Sequence, residues 1–115
     1  MSTPPDNQPD DLWYQTIDLK DGTTIPGKVD TRKRLPFLAD IDFRGKSVID
    51  VGCNSGQFCL YAKERGAEKV VGIDLFEKRL EQARELAKRE GLDISYLHKN
   101  LFELPELGVF DIVFC

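Results

Sequence analysis

Short apolar runs alternate with segments of helical character from residue 47 onward, and this alternation constrains the fold more than any other feature of the sequence. The apolar runs have the length that is typical of buried strands. Strands that alternate with helices form parallel βαβ units with right-handed crossovers. The pattern therefore predicts an α/β fold with strands at 47–51, 69–73, 94–98 and 109–115 and helices at 56–65 and 77–90.

The residues outside these elements divide into recognisable parts. Residues 1–11 contain three prolines and three aspartates without an apolar period, which predicts a disordered tail. Residues 12–45 are expected to form a hairpin-like arm with a short helix at 31–41, and residues 46–115 form the α/β domain. The connection 99–108 is short for a crossover, so we expect at most one helical turn there.

The segment between the first strand and the first helix reads DVGCNSG, from Asp50 to Gly56. Glycine lets the backbone turn sharply and lets a ligand approach without a Cβ in the way. We expect Ser55 to cap the following helix. The second strand ends at Asp74, about 20 residues after Gly52, where a carboxylate can accept hydrogen bonds from the ribose hydroxyls of an adenosine. A glycine turn that binds no ligand is the alternative, and the placement of Asp74 makes it the less favoured one.

The spacing of the glycines separates two classes of enzyme that share this architecture. The dinucleotide fingerprint is G-x-G-x-x-G, and its glycine positions fall here on Gly52, Asn54 and Gln57. The second and third glycines are therefore absent. The turn GCNSG is less suited to a pyrophosphate, which disfavours a nicotinamide-dependent oxidoreductase.

Over about residues 45–115 the chain resembles the class I S-adenosylmethionine (SAM) dependent methyltransferases. The matching stretches are VIDVGCNSGQF, RGAEKVVGIDLFEKRLEQAR and LHKNLFELPELGVFDIVFC. Upstream, the chain is similar to the lead-in segment of the wobble-uridine tRNA methyltransferase-like subgroup, in WYQTIDLKDGTTIPGKVDTR. The resemblance implies a Rossmann-like parallel sheet in the order 3-2-1-4, SAM or S-adenosylhomocysteine (SAH) as the cofactor, and methyl transfer as the reaction. It also implies seven strands, so the chain is expected to be truncated after the fourth.

The resemblance further implies which residues bind the cofactor. Asp74 is expected to hold the ribose, and Leu75 is expected to pack on the adenine. Asn100 is expected to accept a hydrogen bond from the adenine amino group, and Leu101 to donate its backbone N–H to the ring. For Leu75 and Leu101, ordinary core packing is the alternative. Around the methionine part of SAM, the expected residues are Asp50, Gly52, Cys53, Asn54 and Gly56.

No catalytic residue is assigned, because methyl transfer needs a general base only when the acceptor must lose a proton. His98, the one histidine, is expected at a strand end away from the switch point, and no metal-binding spacing occurs. Asp111 is expected near the methyl donor, with a polar residue at a strand start as the alternative. Trp13, Tyr14 and Lys28 of the arm can cover the pocket or simply pack the arm onto the sheet.

The methyl acceptor stays open between tRNA and a small molecule, and a non-catalytic SAM- or SAH-binding module is the competing function. A net charge of −4 argues against a broad nucleic-acid footprint, although Lys28, Arg32, Lys33 and Arg34 form a local basic cluster. Three cysteines make no even disulfide framework and predict a cytoplasmic protein. No apolar run has the length of a membrane span. The strand 109–115 is expected to be an unprotected edge, which predicts a homodimer joined there.

Overall fold

The predicted strands and helices form in the part of the chain that the structure describes. A computed structural model describes residues 13–115, so the predicted tail at 1–11 lies outside the described residues. The strands are β1 (Ile17–Asp18), β2 (Thr24–Ile25), β3 (Ser47–Val51), β4 (Lys69–Asp74), β5 (Ser95–His98) and β6 (Ile112–Phe114). The α-helices are α1 (Gln57–Glu64) and α2 (Glu77–Arg89), and 3-10 helices cover Arg32–Leu38 and Leu101–Leu107.

Strands β3 to β6 form a parallel sheet in the order β5-β4-β3-β6. Counted from β3, this is the order 3-2-1-4, so the predicted Rossmann-like topology is confirmed. The central strand is β3, whose Val48 pairs with Val70 of β4 on one side and with Ile112 of β6 on the other. In open α/β sheets a ligand binds outside the carboxyl ends of the strands, where the strand order reverses. Here that point lies at the end of β3, next to the glycine turn.

Different elements cover the two faces of the sheet. Val48 and Val70 pack with residues of α1 and α2 on one face, whereas Ile49 and Ile73 pack with the 3-10 helix Leu101–Leu107 on the other. Successive side chains of a strand point to opposite faces, which explains why neighbours in β3 enter different clusters. A fully buried Val or Ile side chain contributes about 1.5–3 kcal/mol to stability. Burial on both faces therefore accounts for the continuous apolar runs in β3 and β4.

The two α-helices begin and end close to the predicted residues. In α2 the buried residues Leu80, Ala83 and Ala87 recur at helical spacing and face the sheet. The glycines after the helices, Gly66 and Gly91, have φ of 95° and 69°. In both, the glycine N–H and the next N–H return to carbonyls of the last turn, which is the Schellman motif.

Two shorter elements differ from the sequence prediction. The 3-10 helix Leu101–Leu107 makes about two turns at three residues per turn, so the prediction of at most one turn at 99–108 was wrong. A 3-10 helix rises about 2.0 Å per residue, so it advances across the sheet further than an α-helix of equal length. The helix predicted at 31–41 is also a 3-10 helix, Arg32–Leu38, and it contains Pro36.

The arm is hairpin-like, as predicted, but it packs on helices rather than on the sheet. Strands β1 and β2 pair antiparallel. Ile17 and Leu19 of the arm form a buried cluster with Leu60 of α1 and Leu86 of α2, and Trp13 packs against it. The arm therefore holds α1 and α2 together on the side away from β3 and β4.

The cysteines are free thiols in the described structure. Cys53 and Cys59 are 1% and 0% exposed and pack in the core, whereas Cys115 is exposed. Within residues 13–115, no helix has the length and apolar character needed to cross a bilayer. The same residues contain no group of three His, Cys, Asp or Glu side chains placed to hold a metal ion.

Candidate functional site

Asp74 lies at the carboxyl end of β4 and links the glycine turn to α2. The residue is 6% exposed. Its Oδ2 accepts a hydrogen bond from the backbone N–H of Asn54 at 2.9 Å, and its Oδ1 accepts one from the N–H of Phe76 at 2.9 Å. Each carboxylate oxygen has two lone pairs. Both oxygens therefore keep an acceptor position for the ribose hydroxyls that the sequence predicts here.

The glycine turn uses left-handed backbone at Gly52, Asn54 and Gly56, with φ of 77°, 53° and 91°. The N–H of Gly52 donates to the carbonyl of Ile73 at 2.8 Å, which fixes the turn against the end of β4. A Cβ added at Gly52 meets no atom within 4 Å, whereas one at Gly56 would lie 2.4 Å from the Tyr96 hydroxyl. Among contacts within the protein, only the conformation requires a glycine at residue 52, whereas both conformation and packing require one at residue 56.

A cavity of about 350 Å³, which we call the crevice, opens beside Asp74 at this end of the sheet. Small-molecule sites have volumes of about 300–1,000 Å³. Leu75 and Leu101 line the crevice and are 61% and 52% exposed, so the alternative that they are core residues is wrong. The predicted residues that line the crevice are Gly52, Asn54, Asp74, Leu75, Asn100 and Leu101.

The other predicted residues, Asp50, Cys53 and Gly56, belong to the turn segment itself but do not line the crevice. Asp50 is 4% exposed, and its burial, with a smaller effect from the charge of Asp74, raises its pKa to about 7. The Cys59 thiol donates to Asp50 Oδ2 across 3.9 Å. All three residues are buried, and their contact with the methionine part of SAM stays a prediction.

Asn100 fixes one wall of the crevice because it caps the 3-10 helix that follows it. Its Oδ1 accepts a hydrogen bond from the N–H of Phe102 at 2.9 Å, and its own N–H donates to Glu103 Oε1 at 3.0 Å. This reciprocal arrangement is a capping box. The amide oxygen keeps a second lone pair, so the predicted bond to an adenine amino group is compatible with the cap.

Ser55 does not cap α1, so that prediction was wrong. The N-cap residue is Gly56. The Ser55 Oγ instead accepts hydrogen bonds from the backbone N–H groups of Tyr14 and Gln15, at 3.2 and 3.3 Å. Gln15 Oε1 in turn accepts from the N–H of Gln57, the first residue of α1, at 3.1 Å. The arm therefore supplies the cap that was predicted for Ser55.

The buried polar network between the arm and α1 leaves no signal in the sequence. Gln57 Nε2 donates to the carbonyl of Thr16 at 2.9 Å, and its Oε1 accepts from the Thr31 hydroxyl. Gln15 and Gln57 are 3% and 4% exposed, although glutamine is mostly an exposed residue. Because buried glutamines follow no periodicity, their role in positioning the turn could not be predicted.

Two further predicted residues lie away from the crevice. Asp111 precedes β6, and its Oδ2 accepts from the N–H and hydroxyl of Ser47 at 2.8 and 3.1 Å. Ser47 begins β3, so Asp111 lies at the amino end of the sheet and its predicted place near the methyl donor is wrong. His98 is exposed at the end of β5, with Nε2 3.0 Å from the carbonyl oxygen of Leu75, and it does not line the crevice.

The arm residues that were predicted to cover the pocket separate into two groups. Tyr14 and Lys28 line a second cavity next to the crevice, whereas Trp13 packs against the helices. In the basic cluster, Arg32 pairs with Asp30 at 2.6 Å, so part of its charge is neutralised locally.

Comparison with known proteins identifies the family. The methyltransferase domain family matches residues 48–115, which include the glycine turn, Asp74 and the walls of the crevice. The chain belongs to this family. Its fold and its cofactor class are those of SAM-dependent methyltransferases, and this agrees with the glycine spacing that disfavoured an oxidoreductase.

Curated relatives of this methyltransferase domain are longer proteins. The chain is 44% identical over 59 residues to a ribosomal protein L11 methyltransferase of Alteromonas mediterranea, covering 51% of the chain and 20% of that protein. It is 36% identical over 83 residues to a ribosomal protein L11 methyltransferase of Thermotoga maritima, covering 72% of the chain and 31% of that protein. The chain thus spans about a fifth to a third of the length of these relatives.

Solved structures of methyltransferases share the fold. The domain is 36% identical to an S-adenosylmethionine dependent methyltransferase from Mesorhizobium loti, with a TM-score of 0.53 over 62% of this chain and 33% of that chain. It is 26% identical to the ribosomal protein L11 methylase from Lactobacillus delbrueckii subsp. bulgaricus, with a TM-score of 0.61 over 69% of this chain and 41% of that chain.

The crevice of the methyltransferase domain fits the cofactor of its family. Asp74 offers acceptor positions for a ribose diol, and Leu75 and Leu101 offer exposed apolar surface for a purine. The open space at Gly52 leaves room for a chain of atoms over the turn. The predicted contacts of individual residues with SAM stay predictions.

Proposed function

We propose that the crevice binds SAM and that the domain carries the cofactor through methyl transfer to an acceptor. The observation that carries this proposal is the position of Asp74, a buried carboxylate fixed by two backbone N–H groups at the end of β4. A carboxylate held in this way accepts from both ribose hydroxyls without having to reorient. Hydrogen bonds to charged groups contribute about 1.5–3 kcal/mol each.

The remaining residues of the crevice orient the cofactor. Leu75 and Leu101 hold the adenine between apolar surfaces, and Asn100 accepts from the amino group of the ring. Gly52 lets the methionine part cross the turn. SAM supplies a methyl group that is already activated by a sulfonium. What the chain must add is alignment of donor and acceptor, which lowers a barrier by up to about 7–11 kcal/mol.

A non-catalytic SAM- or SAH-binding module is the second candidate function. Among the described residues that line the crevice, only Asp74 is a carboxylate that can serve as a general base. Both of its oxygens already accept backbone hydrogen bonds. These two observations favour a module that binds the cofactor without catalysis. A methyltransferase needs no base when its acceptor is already deprotonated. Transfer of label from methyl-labelled SAM separates the two functions.

We propose three classes of molecule as the methyl acceptor. Relatives named as ribosomal protein L11 methyltransferases favour a protein acceptor, and the resemblance of the arm to the wobble-uridine tRNA methyltransferase-like subgroup favours tRNA. A small molecule is the third class. Purified L11, bulk tRNA and a metabolite pool should be tested in parallel with labelled SAM. Binding of SAM without transfer to any of them would favour the binding module.

Titration calorimetry with SAH tests the role of Asp74. We expect Asp74→Asn, which keeps the shape of the side chain, and Asp74→Ala to weaken SAH binding by about 2–4 kcal/mol. Asp93→Ala is the matched control, since Asp93 is an exposed aspartate outside the crevice. NAD should not bind. Wild-type affinity for SAH in both Asp74 variants would refute the ribose contact.

We also propose that the domain self-associates through β6. In the described residues β6 pairs with β3 on one side only, and its Val113 is 54% exposed. Exposed strand edges pair with other chains. Sedimentation should show a dimer as concentration rises, and a monomer at high concentration would contradict the proposal. We further propose that the protein is located in the cytoplasm, where thiols stay reduced.

A further inference from the structure

A second cavity adjoins the crevice between the arm and the start of α2. Its volume is about 550 Å³. Tyr14 and Lys28 contribute to it from the arm, and Phe76, Lys78 and Arg79 contribute from the start of α2. We call these five residues the cationic cleft. The cleft and the crevice share walls at Asn54, Leu75 and Phe76.

The cleft is positively charged although the chain has a net charge of −4. Lys78 and Arg79 supply its positive charge, Lys28 lines it as well, and Glu77 is the acidic residue beside them. Glu77 Oε1 pairs with Arg84 at 2.6 Å, so its charge is already neutralised by a residue outside the cleft. The cleft therefore carries a local excess of positive charge, which attracts anions.

The arm positions the guanidinium of Arg79 in the cleft. The Arg79 guanidinium carbon lies 4.9 Å from the centre of the Tyr14 ring, within the range of a cation–π interaction. The backbone of Tyr14 is fixed in turn, because its N–H donates to Ser55 Oγ and its carbonyl accepts from Val29 at 2.9 Å. Within residues 13–115, neither Lys78 nor Arg79 forms an ion pair. The donors of both side chains are therefore available to a ligand.

We propose that the cationic cleft binds a phosphate group of the methyl acceptor. This inference rests on the proposed function, since it assigns the cleft to the substrate whose methyl donor lies in the crevice. An Arg fork binds phosphate through parallel hydrogen bonds, and lysine adds a point charge. Phe76 is 68% exposed at the shared wall and offers apolar surface to the part of the acceptor next to the phosphate.

The test uses the full chain saturated with SAH, with inorganic pyrophosphate as the probe. Amide NMR signals of Tyr14 and residues 76–79 should shift on titration. Arg79→Gln should weaken pyrophosphate binding about tenfold, the loss expected for one charge-assisted hydrogen bond. Lys88→Gln is the matched control, because Lys88 lies on the same helix at its opposite end, and it should leave both ligands unaffected.

Three results would overturn the proposal. They are an absence of pyrophosphate-dependent shifts, wild-type affinity for pyrophosphate in Arg79→Gln, and a loss of SAH affinity in Arg79→Gln that matches its loss of pyrophosphate affinity. The last result would assign the cleft to the cofactor itself. If the wild-type chain fails to bind SAH, the proposed function fails, while the same titration without SAH still tests the cleft.

Two further probes identify the source of the phosphate. A short single-stranded RNA and ribose 5-phosphate are titrated at several salt concentrations. RNA that contacts several basic groups should bind more tightly than ribose 5-phosphate, with an affinity that falls steeply with salt. Equal affinity for the two probes assigns the cleft to a small phosphorylated acceptor. Binding of neither probe counts against the site, together with the three results above.

Discussion

The parallel sheet and the arm meet at the glycine turn, but different interactions fix them in place. Val48 and Ile49 of β3 are 0% exposed, so the sheet is fixed by apolar burial. The arm also buries apolar side chains against the helices, but its position at the turn is set by hydrogen bonds that Gln15, Ser55 and Gln57 make in a buried contact. Apolar burial has no direction, whereas a hydrogen bond restricts both distance and angle. The comparison teaches that the sheet supplies stability and the arm sets the geometry at the mouth of the site.

The largest expected effect is a substitution at the junction of the two regions. Gly56→Ala places a Cβ 2.4 Å from the Tyr96 hydroxyl, at a residue with φ of 91°. Left-handed strain of about 1–2 kcal/mol and overpacking of about 1–3 kcal/mol should lower the free energy of unfolding by about 3 kcal/mol. Urea denaturation followed by circular dichroism measures this loss.

Gly91→Ala is the matched control for this substitution. Gly91 has φ of 69°, and a Cβ there meets no atom within 4 Å, so this variant should lose only the strain energy. Equal losses of unfolding free energy in the two variants would mean that the Tyr96 hydroxyl does not prevent a larger side chain at residue 56.

A smaller loss of stability is expected when the hydrogen bonds that hold the arm are removed. Ser55→Ala removes the acceptor for the N–H groups of Tyr14 and Gln15. Leaving a buried donor unpaired costs about 1–3 kcal/mol, so we expect a loss of about 2 kcal/mol in arm docking. Trp13, the one tryptophan, reports the arm by fluorescence, while circular dichroism reports the sheet and helices.

In Ser55→Ala the fluorescence transition should occur at lower urea than the circular dichroism transition. Ser95→Ala, at an exposed serine that begins β5, should leave both transitions unchanged. If the two transitions of Ser55→Ala shift together, the arm and the sheet are one cooperative unit and the comparison fails.

The third expected effect, which is no larger than the second, concerns a polar group inside the apolar region. The pKa of Asp50 is about 7 in the folded chain and about 4 in an unfolded one. The folded chain therefore binds more protons between these values, and its free energy of unfolding should fall by about 2 kcal/mol from pH 5 to pH 7. In Asp50→Asn, whose side chain cannot ionise, this fall in the free energy of unfolding with pH should be absent. Identical pH profiles for the two chains in urea denaturation would rule out burial of an ionisable Asp50.

Much of the sheet could be predicted because its determinants are local and periodic. The predicted strands 47–51 and 69–73 agree with β3 and β4 to within one residue, since buried parallel strands are continuous apolar runs. The helix ends also have a local determinant, because Gly66 and Gly91 follow the helices and adopt a left-handed conformation. The 3-10 form of Leu101–Leu107 was missed, because sequence spacing limits the length of a crossover without specifying its helical type.

The candidate site was predictable where topology alone brings residues together. Parallel strands place Asp74 and Gly52 at the same edge of the sheet, and both line the crevice. Asp111 was misplaced because it stands at the start of its strand rather than at the end. The bond between Gln15 and Ser55 joins residues 40 positions apart, and no periodic pattern marks either residue as a partner of the other.

The uneven burial of the cysteines gives the chain a ready-made labelling scheme. Cys53 and Cys59 are enclosed in the core, and Cys115 is exposed, so a maleimide dye should attach to the folded chain at one position. The indole of Trp13 can then act as an energy-transfer donor to that dye. Changes in transfer efficiency would follow the arm relative to the end of β6 without any engineered residue.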